Sequence, residues 1–243
     1  MFIQLLPLPV KKLPALLIGL LAFTIHRPIN AQEVTPPPKE QESKPQLRVI
    51  CVTSLTDDQE VILASHAENG TWQEHATLKL RSSFISDWLP AHPGELDLAL
   101  REGDKLNSIC HFTYPEGAKR AIVVLAPDQA KMIYRSDVID TGKLKFVKGS
   151  TLVINYSPLS GAVILGSLKT SVKPGERIIV KAQPDANGMY RMMAAYANAN
   201  KELVPCYDRY VSSNPDARDI LFLLPDPTLG LKVFSLSEFG PFD

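Results

Sequence analysis

Beyond residue 46 the apolar positions come in short runs closed by Pro, Gly, Asp or Asn. The runs are RVICV (48–52), EVILA (60–64), LDLAL (96–100), AIVVLAP (121–127) and KMIY (131–134), then TLVINY (151–156), AVILG (162–166), RIIVKA (177–182), DILFLLP (219–225) and LKVFSL (231–236). They are rich in β-branched residues, and none sustains the 3.6-residue period of an amphipathic helix, so each predicts a strand. One segment reads both ways. GMYRMMAAYANANKEL (188–203) has the Met, Ala and Lys content of a helix, while Tyr190, Met192 and Ala194 alternate as in a strand, which tips the reading to strand. Asp57–Asp58 and PLSG (158–161) read as hairpin connections, with Gly161 supplying a tight turn.

The runs also recur in order. RAIVVLAPD starts at Arg120, and RDILFLLPD starts 98 positions later at Arg218. RVICVTS (48–54) matches LVINYSP (152–158), EVILAS (60–65) matches AVILGS (162–167), HPGELDLAL (92–100) matches KPGERIIVK (173–181), and KMIY matches KVFS (232–235). On this alignment the copies differ by apparent insertions over 68–88 in the first and 184–202 in the second. A period near 100 residues suits two successive domains rather than a solenoid. The expected fold is all-β: two tandem small antiparallel β-sandwiches, over 47–146 and 147–243.

Ahead of them, Lys11 and Lys12 precede the apolar run LPALLIGLLAFTI (13–25) and the polar HRPINA. This is the pattern of a signal peptide over 1–31, cleaved after Ala31. The apolar run is shorter than a span of about 20 residues, so no transmembrane span is expected after cleavage. QEVTPPPKEQESKPQ (32–46) has one bulky apolar residue and reads as a disordered Pro-rich spacer. The address is exported, periplasmic or extracellular.

The order of strands and turns, carried by AVILG, VKPGERIIVKA and RDILFLLPD, resembles small immunoglobulin-like or cupredoxin-like domains of unknown function in exported bacterial proteins. The resemblance implies a β-sandwich fold and an envelope setting, and it transfers no catalytic position.

Composition narrows the partners. Lys and Arg equal Asp and Glu at 26 each, so no basic field points to nucleic acid. There is no phosphate-binding glycine loop and no G-x-S-x-G, and nothing calls for a cofactor. The reading is therefore non-enzymatic. An envelope protein or a glycan is the expected partner, bound through loops that differ between the copies. Aromatic side chains suit that task, so Trp72, Phe84 and Trp88 form one candidate surface, and Tyr190 and Met192 a second. These aromatics also define the alternative of a carbohydrate-binding accessory protein. A further alternative is a metal- or copper-binding envelope protein. Its candidate ligands are His66 and His75 and the adjacent Cys110 and His111, in a stretch resembling the final loop of a cupredoxin, though that loop lacks a second His and an axial Met. Three cysteines give an odd count. Cys51 fits a buried core, and Cys110 and Cys206 occupy similar places in their copies, where a disulfide would staple the two together.

Overall fold

A computed structural model describes residues 44–55, 58–240 and 242. The signal peptide, nearly all of the spacer, and Asp57 of the first turn lie outside the described residues. The described part of the fold is all-β, with seventeen strands and no helix, so among these residues no helix is long and apolar enough to cross a membrane. The first copy runs β1 (Gln46–Cys51), β2 (Gln59–His66), β3 (Trp72–Leu80), β4 (Phe84–Ile85), β5 (Leu89–Pro90), β6 (Gly94–Glu102), β7 (Lys105–Tyr114), β8 (Arg120–Asp128) and β9 (Ile133–Asp140). The second runs β10 (Thr151–Asn155), β11 (Gly161–Leu165), β12 (Leu168–Val172), β13 (Arg177–Val180), β14 (Met189–Ala197), β15 (Leu203–Ser212), β16 (Ala217–Asp226) and β17 (Gly230–Phe239).

Each copy is a two-sheet sandwich with the same wiring. The inner sheets are ordered β4-β1-β8-β9, with β5 also on β1, and β13-β10-β16-β17. The outer sheets are β3-β2-β6-β7 and β12-β11-β14-β15. The ladders follow the repeat seen in the sequence. Leu47 pairs with Ala121 in the first copy, and Thr151 pairs with Asp219 in the second. These two pairings, β1 with β8 and β10 with β16, are parallel within otherwise antiparallel sheets. The sequence led us to expect antiparallel pairing throughout.

The layering explains the repeated apolar runs. On β1 and β8, Leu47, Val49, Cys51, Ala121, Val123 and Leu125 face the first sandwich core. The alternate residues Ile50, Ile122 and Val124 enter a different core, where they meet Leu152, Ile154, Ile220 and Phe222 of the second copy. Val153, Leu221 and Leu223 face the second sandwich core. The two inner sheets therefore pack on each other and are buried on both faces. A strand in that position must be apolar at consecutive positions, as parallel-paired central strands usually are. RAIVVLAPD and RDILFLLPD are written twice because each copy contributes one such strand to a shared third core. The described residues accordingly form one compact unit rather than two separate domains. The segment between the copies takes part, since Phe146 is buried in the shared core.

Two expectations change. HPGE leads into β6 of an outer sheet, whereas KPGE leads into β13 of an inner sheet, so that match is not structural. The strand equivalent to β6 is β14: Leu98 pairs with Leu63, and Met192 pairs with Leu165, two residues already matched by the repeat. The segments 68–88 and 184–202 thus contain regular strands of the shared topology and are not insertions. Gly161 is not in a turn. It opens β11, where an added Cβ would lie 2.5 Å from Leu223 Cδ1, so its role is close packing of the two sheets.

Candidate functional site

The copies differ most clearly at one hairpin. β11 and β12 end at the pair Leu165–Leu168. β2 and β3 run on past the equivalent point, through Ala64–Glu74 and Ser65–Gln73 to His66–Trp72. The tip is stiffened locally. Asn69 Oδ1 accepts from the Thr71 N–H at 3.0 Å and the Thr71 hydroxyl at 2.6 Å, and Gly70 takes φ 79°. Trp72 is half-buried, with its ring centroid 3.9 Å from that of His66. Beside it lies an open depression of about 550 Å³, walled by Glu74, Arg101, Asp104 and Asn107. Arg101 donates to Glu74 at 2.5 Å, and Asn107 Nδ2 donates to Glu102 at 2.7 Å.

A histidine pair joins β3 of this hairpin to the segment between β5 and β6. His75 Nε2 lies 2.8 Å from His92 Nε2 and 2.9 Å from Ser65 Oγ. Partial burial holds the His75 imidazole below its usual pKa, and the neighbouring His92 adds to that. His66 is not part of this pair. It belongs to Trp72.

Cys110 and His111 do not converge. As neighbours on β7 they point to opposite faces. Cys110 sits in the first core, where burial pushes its thiol up to about 11. His111 faces outward, with Nε2 2.7 Å from Glu95 Oε2 and Nδ1 3.3 Å from both Asp97 carboxylate oxygens. Ser108 donates to the same Asp97 at 2.5 Å. Among the described residues no three His, Cys, Asp or Glu side chains are grouped so as to hold a metal ion.

The other expected site residues lie elsewhere. Tyr190 and Met192 are 4% and 5% exposed and fill the second core, the outcome that strand alternation dictates for the inward positions of β14. Phe84 is half-buried on the short edge strand β4, opposite Cys51. Trp88 is in a different sheet region from Trp72, on the seam between the copies, with the guanidinium carbons of Arg48 and Arg120 at 4.6 and 5.1 Å from its ring centroid. All three cysteines are free. Cys110 belongs to the first core and Cys206 borders the second, so the expected staple between them is not formed.

Besides the shared apolar core, polar groups that were not singled out in the sequence join the copies. Glu238 is fully buried and binds both Arg218 (Oε2 to Nε, 2.5 Å) and Arg48 of the first copy (Oε1 to Nη1, 3.0 Å). Arg218 also donates to the Phe146 carbonyl at 3.0 Å. Toward the finishing end of the central strands, Asp137 of the first copy accepts from the Tyr156 hydroxyl at 2.5 Å and from Arg177, both of the second. Burial and the adjacent Asp137 carboxylate drive the Tyr156 phenol far above its usual pKa, so it stays a donor. The chain matches no known protein-family model and no curated protein.

Proposed function

We propose that the chain is an exported, non-enzymatic interaction module of the cell envelope that binds a protein or glycan surface through the extended β2–β3 hairpin of its first copy. One observation carries the reading. The hairpin is where the copies depart from their shared wiring, and it ends in a half-buried Trp72 at the rim of a depression edged by hydrogen-bonding side chains. In a duplicated scaffold the common strands keep the fold, and the segment that differs is free to serve a partner. The export part of the reading rests on the N-terminal sequence.

Deleting 67–88 would be a poor test, because Leu78 and Leu80 of β3 belong to the first core. Point variants at the rim suit the purpose. The mature chain, immobilised, should retain an envelope component that Trp72→Ala and Arg101→Ala both lose, read by mass spectrometry. Equal retention by the variants would sink the reading.

A glycan is the specific second reading. It is favoured by the pairing of one aromatic face with Glu74, Arg101, Asp104 and Asn107, since sugars present apolar faces ringed by hydroxyls. A glycan array separates the two, with saturable, Trp72-dependent binding expected if the partner is a sugar.

A further inference from the structure

The shared core between the copies is closed at the starting ends of its central strands by the Arg48–Glu238–Arg218 group, and it opens at their finishing ends. There residues of both copies line a cleft of about 560 Å³. That volume lies within the usual range for small-molecule sites, roughly 300–1,000 Å³. The two copies line it at equivalent positions. Ala126 and Pro127 of β8 face Leu224 and Pro225 of β16, the closing residues of the two repeated runs. The floor is apolar, with Val52, Val124 and Leu224 continuing the faces that build the shared core.

The charges at the rim are uneven. Asp137 is already engaged by Tyr156 and Arg177. Arg135 is paired with Asp128 at 3.0 Å. Lys232 lines the same cleft, is exposed, and makes no ion pair among the described residues. The carboxylate it influences, Asp226, is bound instead by the N–H groups of Thr228 and Leu229 at 2.9 and 2.8 Å. The lining is therefore an apolar slot with one cation not ion-paired at its mouth.

We propose that this cleft binds a small amphipathic monocarboxylate, an aliphatic chain seated on Val52, Val124 and Leu224 with its carboxylate at Lys232. Burying the chain supplies the affinity, at about 25 cal/mol per Å² of apolar surface removed from water. The lysine sets the polarity, because an anion there gains a partner whereas a cation meets Lys232 and Arg135. Tyr156 and Asp137, locked in their inter-copy bond, fix the wall against which the chain lies. The assignment is independent of the hairpin reading.

The test is titration of the full mature chain with sodium decanoate below its micelle concentration, followed by methyl NMR and calorimetry. The expected result is saturable one-to-one binding, with shifts concentrated at the methyls of Val52, Val124 and Leu224. Lys232→Glu should weaken it by about fivefold or more, since the carboxylate loses its partner and the reversed charge adds repulsion. Ala126→Trp, at an exposed position of the lining, should abolish it by filling the slot. Decanol should bind distinctly more weakly than decanoate. Absence of saturable shifts overturns the proposal. So does binding that survives Ala126→Trp, or equal binding of decanol.

Discussion

Glu238→Gln tests how the two sandwiches are held as one body. The Glu238 side chain is fully buried and Arg218 is 3% exposed, with Arg48 at 13%, so a single carboxylate is the shared counter-ion of two guanidinium groups largely cut off from water. The amide removes the charge, keeps the shape, and turns one acceptor into a donor that faces a donor. Breaking a buried ion pair by neutralising one member costs about 3–5 kcal/mol, because the remaining charge stays buried and unpaired. For a unit of this size each kcal/mol lowers the melting temperature by about 2–4 °C, so the low end already predicts a fall of about 6–12 °C. Calorimetry and urea titration at neutral pH would measure it. A loss below about 1 kcal/mol would refute the reasoning, since it would mean that water reaches the triad and the seam is not sealed. The companion variant Arg48→Met/Arg218→Leu/Glu238→Leu removes every charge together and is expected to cost far less than Glu238→Gln, because a packed apolar substitute avoids the desolvation of three ions.

Three further predictions rest on other features. His75 has a folded-state pKa below its unfolded value, so its contribution is fully present above about pH 6.5 and is lost as pH falls from there through the lowered folded-state value; stability should decline from pH 7.5 to pH 5, and His75→Gln should flatten the decline seen in urea titrations. Gly166 has φ +68° and an added Cβ would press on the Gln183 carbonyl, whereas Gly175 has φ +74° with open space, so Gly166→Ala should lower the unfolding midpoint well beyond the roughly 1–2 kcal/mol expected of Gly175→Ala. Cys51 and Cys110 are buried with thiols pushed up to about 11, so a thiol reagent on the native chain should reach the partly exposed Cys206 first, and equal rates at all three would contradict the packing of the first core.

Much of the fold was legible in the residues. Strand content follows from β-branched runs cut by Pro and Gly, and the assignment of 188–203 turned on Tyr190, Met192 and Ala194, whose alternation put them inside. The recurrence of the β1 and β8 runs as β10 and β16 was readable, whereas their parallel pairing, Leu47 with Ala121 and Thr151 with Asp219, was not. The candidate site was legible only in part. Trp72 was found as an aromatic in a polar stretch, but nothing nearby in sequence distinguishes it from Trp88, which two arginines from distant strands hold on the seam. Cys110 and Cys206 looked equivalent by position, yet they belong to different cores.

The sequence by itself determined the apolar strands at the centre of the sheets and that the plan is used twice, because side-chain alternation and turn chemistry are local properties of a β-chain; the more polar strands β3, β7, β12 and β15 were not legible in it. Only the tertiary structure decided which sheet each strand joins, that β1 and β8 run parallel, and that the two copies share a core. HPGE and KPGE show why: a Pro-Gly turn reverses or redirects the chain, but the sheet that receives the next strand depends on what apolar surface remains uncovered. A continuous apolar run says that both faces of a strand are buried and leaves open what covers the second face. Here it is the other copy, and that choice creates the Glu238 clamp at one end of the seam and the cleft beside Lys232 at the other.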